Sequence, residues 1–491
     1  MTGSTTDPTL RRAHELAAEY LAQLPDRPVA PPADLGALRA TLGGLLPDTG
    51  EDPTGVLEAL ARDVDPGLVA SAGPRYFGFV VGGSLPAALG ADWLTSAWDQ
   101  NAGLYVLSPA AAVVEEVVEG WLVDCFGLPP GTSAGFTTGA TMANFTALAS
   151  ARHAVLRDRG WDAETRGLFG APEINVVIGA EAHVTIRVAL QMLGLGRDRV
   201  ITVPADEQGR MRADALAAAL TDLDGPTIVC AQAGNVNTGA FDPLPAIAAA
   251  VRAHGGWLHV DGAFGLWAAA SSTLRPLLEG LDQADSWTTD SHKWLNVPYD
   301  SGIVLVRDRA AHQAAMTLGA AYYVESSGAE RDPYNWVAES SRRARGFVVY
   351  AALRSLGRRG LADQIERACS LARRMAERLA TEPGVAILND VVLNQVLVRF
   401  GSDDRGNGAT PGAAAAGEAG DQLTRDVIAR VQREGTAWLG GTTWHGVSAM
   451  RISVSGWSTT EGDADRSVDA ILQSLRASRS EIATLAAPVE A

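Results

Sequence analysis

Residues 9–24, TLRRAHELAAEYLAQL, carry apolar side chains at helical spacing behind a polar start, MTGSTTDP, and predict an opening helix. Residues 31–48 are rich in Pro and Leu and read as a linker plus a short helix. From about residue 110 the pattern changes. Short, nearly continuous apolar runs that end in glycine or polar turns read as strands: INVVIG (174–179), TIVCAQAG (227–234), WLHVDGAFG (257–265) and GIVLVRD (302–308). Helical stretches such as AHVTIRVALQMLGL and LPAIAAAVRAHG lie between them. Strands of this kind alternating with helices predict a mostly parallel sheet covered on both faces, an α/β architecture.

Beyond about residue 350 a helix is expected over 361–381, then strands at VAILND, NQVLVRF and MRISVSG and further helices over 422–434 and at the C-terminus. The stretch GSDDRGNGATPGAAAAGEAGD (401–421) reads as a loop on composition. The expected organisation is a helical N-terminal arm over 1–70, a large α/β domain over 71–350 and a smaller α+β domain over 351–491.

Composition narrows the function classes. The chain has 491 residues and a net charge of −17, which disfavours nucleic acid and anionic membranes as partners. No run of about 18 uncharged apolar residues occurs, so no membrane span is expected, and the N-terminus lacks the apolar core of a signal peptide. Cys125, Cys230 and Cys369 stand far apart, which suggests neither a disulfide framework nor a metal site and fits a reducing, cytoplasmic setting.

Ligands of open α/β sheets bind beyond the carboxyl ends of the strands. WLHVDGAFG delivers Asp261 there, TTDSHKWLNVPYDSG delivers Lys293, and INVVIGAEAH delivers His183. FTTGATMANFTAL (136–148) is a Gly/Thr turn opening a helix, which suits a phosphate. Singly these residues are a cap, a surface lysine, a structural histidine and an ordinary helix start. In this order they point to one site.

The set resembles the group II pyridoxal-phosphate-dependent decarboxylases, the family of aromatic-L-amino-acid and glutamate decarboxylases, from about residue 10 to the C-terminus. HVDGAFG and DSHKWLNVPYDSG carry the resemblance most specifically, within a region running from GPRYFGF (73–79) to RRARGF (342–347). It implies the aspartate-aminotransferase type of fold, fold type I, and pyridoxal 5'-phosphate as cofactor. Lys293 would carry the cofactor covalently. Burial beside a positive group would favour the neutral, nucleophilic amine. Asp261 would pair with the pyridine nitrogen and His183 would stack on the ring. Ala140 and Thr141 would meet the phosphate, as would His292, and Asn235, Ala263 and Asp290 would supply further contacts.

The resemblance also implies removal of the α-carboxyl group of an L-amino acid by a homodimer. A tyrosine some thirty residues beyond the lysine protonates the carbanion in the family. Here GAAYYVESSGAERDP (319–333) offers Tyr322, with Tyr323 beside it. Aminotransferase, aldehyde synthase and carbon–carbon lyase chemistry share the fold and the lysine, and a non-catalytic scaffold is the alternative of another class. Two departures bear on the substrate. Asn101, Ala102 and Gly103 stand where aromatic-acid decarboxylases carry a bulky wall, with Trp98 and Tyr105 near enough to compensate. GPRYF lacks the histidine of the family's HP-x-F motif and brings Arg75, a candidate for an anionic group.

Overall fold

A computed structural model describes residues 7–30, 33–317, 330–401 and 413–486. Contacts divide the chain into two compact units, one drawn from 82–373 and 389–396, the other from 1–81, 374–388 and 397–491.

The first unit is built on seven strands: β1 (Ser133–Thr137), β2 (Asn175–Gly179), β3 (Ile201–Val203), β4 (Thr227–Gln232), β5 (Trp257–Asp261), β6 (Ser286–Asp290) and β7 (Gly302–Val306). They lie in the order β1-β7-β6-β5-β4-β2-β3. β2 to β6 pair in parallel, whereas β7 runs antiparallel to both of its neighbours. The four apolar runs of the sequence are β2, β4, β5 and β7. The apolar pattern does not reveal β1, β3 and β6. SWTTD of β6 reads as polar, yet all five residues are buried, and the hydroxyls of Ser286 and Thr288 are spent on hydrogen bonds described below.

The helix Ala140–Arg157 packs Ala143, Ala147, Leu148 and Ala151 into a buried cluster with Val176 and Ile178 of β2 and Val304 of β7. Its small residues let the helix approach the sheet closely. That places its first turn over the carboxyl ends of β5 and β6, where the chemistry-bearing residues gather.

The second unit carries a four-stranded sheet of β8 (Val385–Ile387), β9 (Gln395–Phe400), β10 (Gly440–Trp444) and β11 (Val447–Ser453), in the order β10-β11-β9-β8. Helices Ala413–Glu434 and Glu461–Ala486 accompany it, with helices Pro8–Gln23, Leu35–Leu42 and Pro53–Val64 at the N-terminal end. The loop expected over 401–421 is corrected in part, because its alanine-rich end already belongs to the helix from Ala413; alanine is the best helix former. Residues 402–412 lie outside the described residues. Arg75 is also resolved. It is buried, with its guanidinium donating to the carbonyls of Thr436 (2.6 Å) and Pro25 and lying 3.7 Å from Asp463. That group is consumed by the fold and leaves no cation for a substrate.

Candidate active site

Asp261 ends β5 and Asp290 ends the adjacent β6, and both are buried. Asp261 Oδ1 accepts from the Ala263 N–H (3.1 Å), and Oδ2 accepts from Asn144 Nδ2 (3.2 Å). Among the described residues no cation pairs with it. Asp290 is held differently. Its Oδ2 lies 2.8 Å from Lys293 Nζ, its Oδ1 accepts from the Ala140 N–H at 2.6 Å, and His292 Nε2 stands 3.5 Å away. A carboxylate thus sits at the positive start of the helix Ala140–Arg157.

Lys293 lies in a turn whose backbone is fixed on several sides. Asn296, in the left-handed region at φ 55°, donates through Nδ2 to the carbonyls of Lys293 (3.3 Å) and Trp294 (2.9 Å). Its Oδ1 accepts from the Gly83 N–H (2.7 Å), and Gln364 donates to the Trp294 carbonyl (2.8 Å). Gly82 is required here, since a Cβ on it would come 2.0 Å from the Lys293 carbonyl oxygen. The indole of Trp294 is fully buried beneath the turn. Among the described residues the expected positive neighbour of Lys293 is not found; the group at its amine, 2.8 Å away, is the Asp290 carboxylate. His292 accepts from the Ser301 N–H at Nδ1 (3.1 Å) and stacks on Tyr299. Burial, chiefly, lowers its pKa, and Lys293 adds to the effect.

His183 caps the helix Val184–Met192, its Nδ1 accepting from the Thr185 N–H (3.4 Å) and lying 2.8 Å from Thr185 Oγ1. His183, Asp261, Ala263 and Lys293 line one cavity, together with Gln232 and Phe264. Ala140 and Thr141 open the helix beside Asp290. Asn235 follows β4, but its side chain is spent on its own loop and on the loop after β2. Oδ1 accepts from the N–H groups of Asn237 (2.8 Å) and Thr238 (3.2 Å), and Nδ2 donates to the Glu181 carbonyl (3.4 Å). Tyr322 and Tyr323 lie outside the described residues. A larger cleft of the same unit, lined by Trp121, Cys125, Arg275 and Leu361, holds no comparable set of groups.

The residues fit pyridoxal phosphate. A buried carboxylate supplied only with neutral donors is an electrostatic deficit that a protonated ring nitrogen would fill. A primary amine and an imidazole face the same cavity, and a helix start lies beside it. Ala102 and Gly103 have a local reason to be small. Ala102 is fully buried against Ala111 and Ala344, and a Cβ on Gly103 would meet the Ser340 carbonyl oxygen at 2.6 Å.

Sequence reasoning missed Asn144, Thr185, His259, Ser286 and Thr288. A signal existed for two of them. Asn144 falls one helical turn after Ala140, and His259 sits two residues before Asp261 on the same face of β5.

Comparison with known proteins gives the family and the fold. Residues 36–400 match the family described as the pyridoxal-dependent decarboxylase conserved domain. The L-2,4-diaminobutyrate decarboxylase of Rhizobium meliloti (strain 1021) is 33% identical over 396 residues, covering 79% of this chain and 75% of that protein. The aromatic-L-amino-acid decarboxylase of Bacillus atrophaeus is 26% identical over 458 residues, covering 92% and 91%. In fold the chain is similar to Oryza sativa TDC, whose crystal structure contains PLP and tryptamine, with a TM-score of 0.87, 23% identity and coverage of 96% and 99%. With a buried acid, an amine and an imidazole converging at the strand ends of a fold-type I sheet, and with that match spanning most of its length, this chain belongs to the pyridoxal-dependent decarboxylase family.

Proposed function

We propose that Lys293 carries pyridoxal phosphate, that Asp261 holds a proton on its ring nitrogen, and that His183 packs against its ring. The observation that carries this reading is the convergence of those three side chains on one cavity. The cofactor, when bound, supplies an electron sink for the charge left when carbon dioxide departs. The chain's own residues do the rest. Asp261 is oriented by the donors from Asn144 and Ala263. Asp290 holds the Lys293 amine at the cavity and takes the Ala140 N–H, while Thr141 and His292 flank the phosphate end. Tyr322 returns a proton to the substrate carbon after decarboxylation. Asn235 shapes the loop that carries the cavity-lining Gly234 and Val236.

The protein acts as a homodimer in this reading. Support comes from large apolar side chains exposed along one stretch of chain, Trp93, Leu94, Trp98, Val106, Leu107 and Val113. The arm over 1–70, with Leu45 and Leu46 exposed, is assigned to the same assembly. Three free cysteines suit the reducing cytoplasm.

The test is an absorbance scan of the purified protein, followed by a panel of aromatic, acidic and diamino L-amino acids with carbon dioxide and amine detection. The expected outcome is a visible cofactor band that Lys293→Ala removes, with carbon dioxide and amine formed in equal amounts from one class. A band accompanied by keto acid or ammonia without carbon dioxide would leave the cofactor and overturn decarboxylation. With Tyr322→Phe in air-saturated buffer, part of the product should change from amine to aldehyde, with dissolved oxygen consumed as the oxidant and ammonia and hydrogen peroxide released; an unchanged product would remove Tyr322 from the mechanism.

A further inference from the structure

Asn144 lies fully buried between the two residues proposed to contact the cofactor ring. Its amide makes four hydrogen bonds. Nδ2 reaches Asp261 Oδ2 and Thr185 Oγ1, each at 3.2 Å, and Oδ1 receives Thr288 Oγ1 at 2.8 Å and faces His259 Nε2 at 3.0 Å. The directions of these bonds are dictated by chemistry. An ionised carboxylate only accepts, so the NH₂ group must face Asp261. The carbonyl therefore faces His259 and Thr288, and His259 must carry its proton on Nε2. His259 Nδ1 then accepts from Ser286 Oγ (2.9 Å), which itself accepts from Trp257 Nε1 (2.9 Å), a group that can only donate. On the other branch Thr185 Oγ1 accepts from Asn144, so its hydroxyl hydrogen is available to His183 Nδ1, which also accepts the Thr185 backbone N–H.

We infer that Asn144 is a positioning residue that fixes the proton positions of the site, keeping Asp261 supplied with a donor and His183 in the tautomer protonated on Nε2. The sheet makes this possible. Register places Asp261 opposite Thr288 and His259 opposite Ser286, so four polar side chains form a patch that one helix residue can bridge. The functional weight of the inference rests on the roles proposed above for Asp261 and His183; the bond directions do not.

The test reads tautomers directly. Full-length protein without cofactor, labelled with [¹⁵N]histidine, is measured by long-range proton–nitrogen NMR, with His183→Gln and His259→Gln to assign the two rings. Both are expected to show a protonated Nε2 and an unprotonated Nδ1. Thr185→Val should release His183 to a mixture of tautomers and leave His259 unchanged. Asn144→Asp keeps size and acceptors but removes both donors, so it should release His183 while His259 stays fixed. In loaded enzyme the same variant should shift the pH profile of the cofactor band by about one unit or more, because a second carboxylate faces Asp261. A wild-type His183 protonated on Nδ1, or a His183 tautomer untouched by both substitutions, would overturn the inference. Failure to bind any cofactor would count against the proposed function and leave the NMR result standing.

Discussion

Asp261 and Asp290 are the same residue type at the same station, the last position of neighbouring strands, and both are buried. Their surroundings make them different reagents. Asp290 meets the Lys293 amine and a helix N–H within the chain, with the His292 ring 3.5 Å away. Among the described residues Asp261 receives neutral donors, from Asn144 and Ala263. Burying a carboxylate without a cation costs several kcal/mol unless something outside the chain completes it. The comparison teaches that two acids at equivalent strand ends differ in what the chain gives them, a difference that the proposed function uses by assigning Asp261 to the cofactor.

Exchanging each acid for its amide should separate the two. Asp261→Asn removes the charge that a protonated ring nitrogen needs, and truncating one side of a buried charge pair costs about 2–5 kcal/mol, or roughly 30- to 5,000-fold. The expected loss is in cofactor affinity and in carbon dioxide release, measured by titration of the absorbance band and by gas evolution. Urea unfolding of the cofactor-free protein should change little. Asp290→Asn should do the reverse in that last assay. It strips Lys293 and the helix start of a charged acceptor, and charged hydrogen bonds contribute about 1.5–3 kcal/mol each, so the cofactor-free protein should unfold about 2 kcal/mol more easily. If Asp290→Asn left that stability untouched while Asp261→Asn lowered it, the contrast would be lost.

A smaller effect probes what lies behind Asp261. Burial holds the His259 pKa down at about 4, with the Asp261 charge opposing it, and holds His312 down at about 3. Both stay neutral in the fold, while an unfolded histidine titrates near 6.5. Unfolding therefore takes up a proton between about pH 4 and 6.5 at His259 and between about pH 3 and 6.5 at His312. The stability from these groups is full above these windows and is lost as pH falls through them, at about 1.4 kcal/mol per pH unit for each. His259→Gln should reduce the slope of unfolding free energy against pH by about one proton near pH 5. An unchanged slope would show that His259 is not held neutral.

Much of this was legible in the sequence, for definite reasons. The strands β2, β4, β5 and β7 are buried by apolar side chains, so pattern alone finds them. Strand β6 is buried by hydroxyls, and its polar residues mimic a turn. The antiparallel run of β7 leaves no mark on composition. Lys293, Asp261 and His183 stood out because strand ends are where ligands bind, and each is a reactive type at such an end. Their partners did not stand out. Arg75 looked free until its guanidinium was found on carbonyls of its own unit, and the local packing of Ala102 and Gly103 shows only in the fold.

The sequence by itself determined the family, the fold class and the residues with reactive groups, because those depend on residue type and order. Tertiary structure decided what each group faces. It put a carboxylate where a positive neighbour of Lys293 was expected, and it gave Asp261 and Asp290 opposite surroundings. It also drew Asn144, His259, Ser286 and Trp257 into one line of hydrogen bonds. Charge and proton position depend on distances of about 3 Å between residues more than a hundred positions apart, such as Asn144 and Asp261, and only folding sets those.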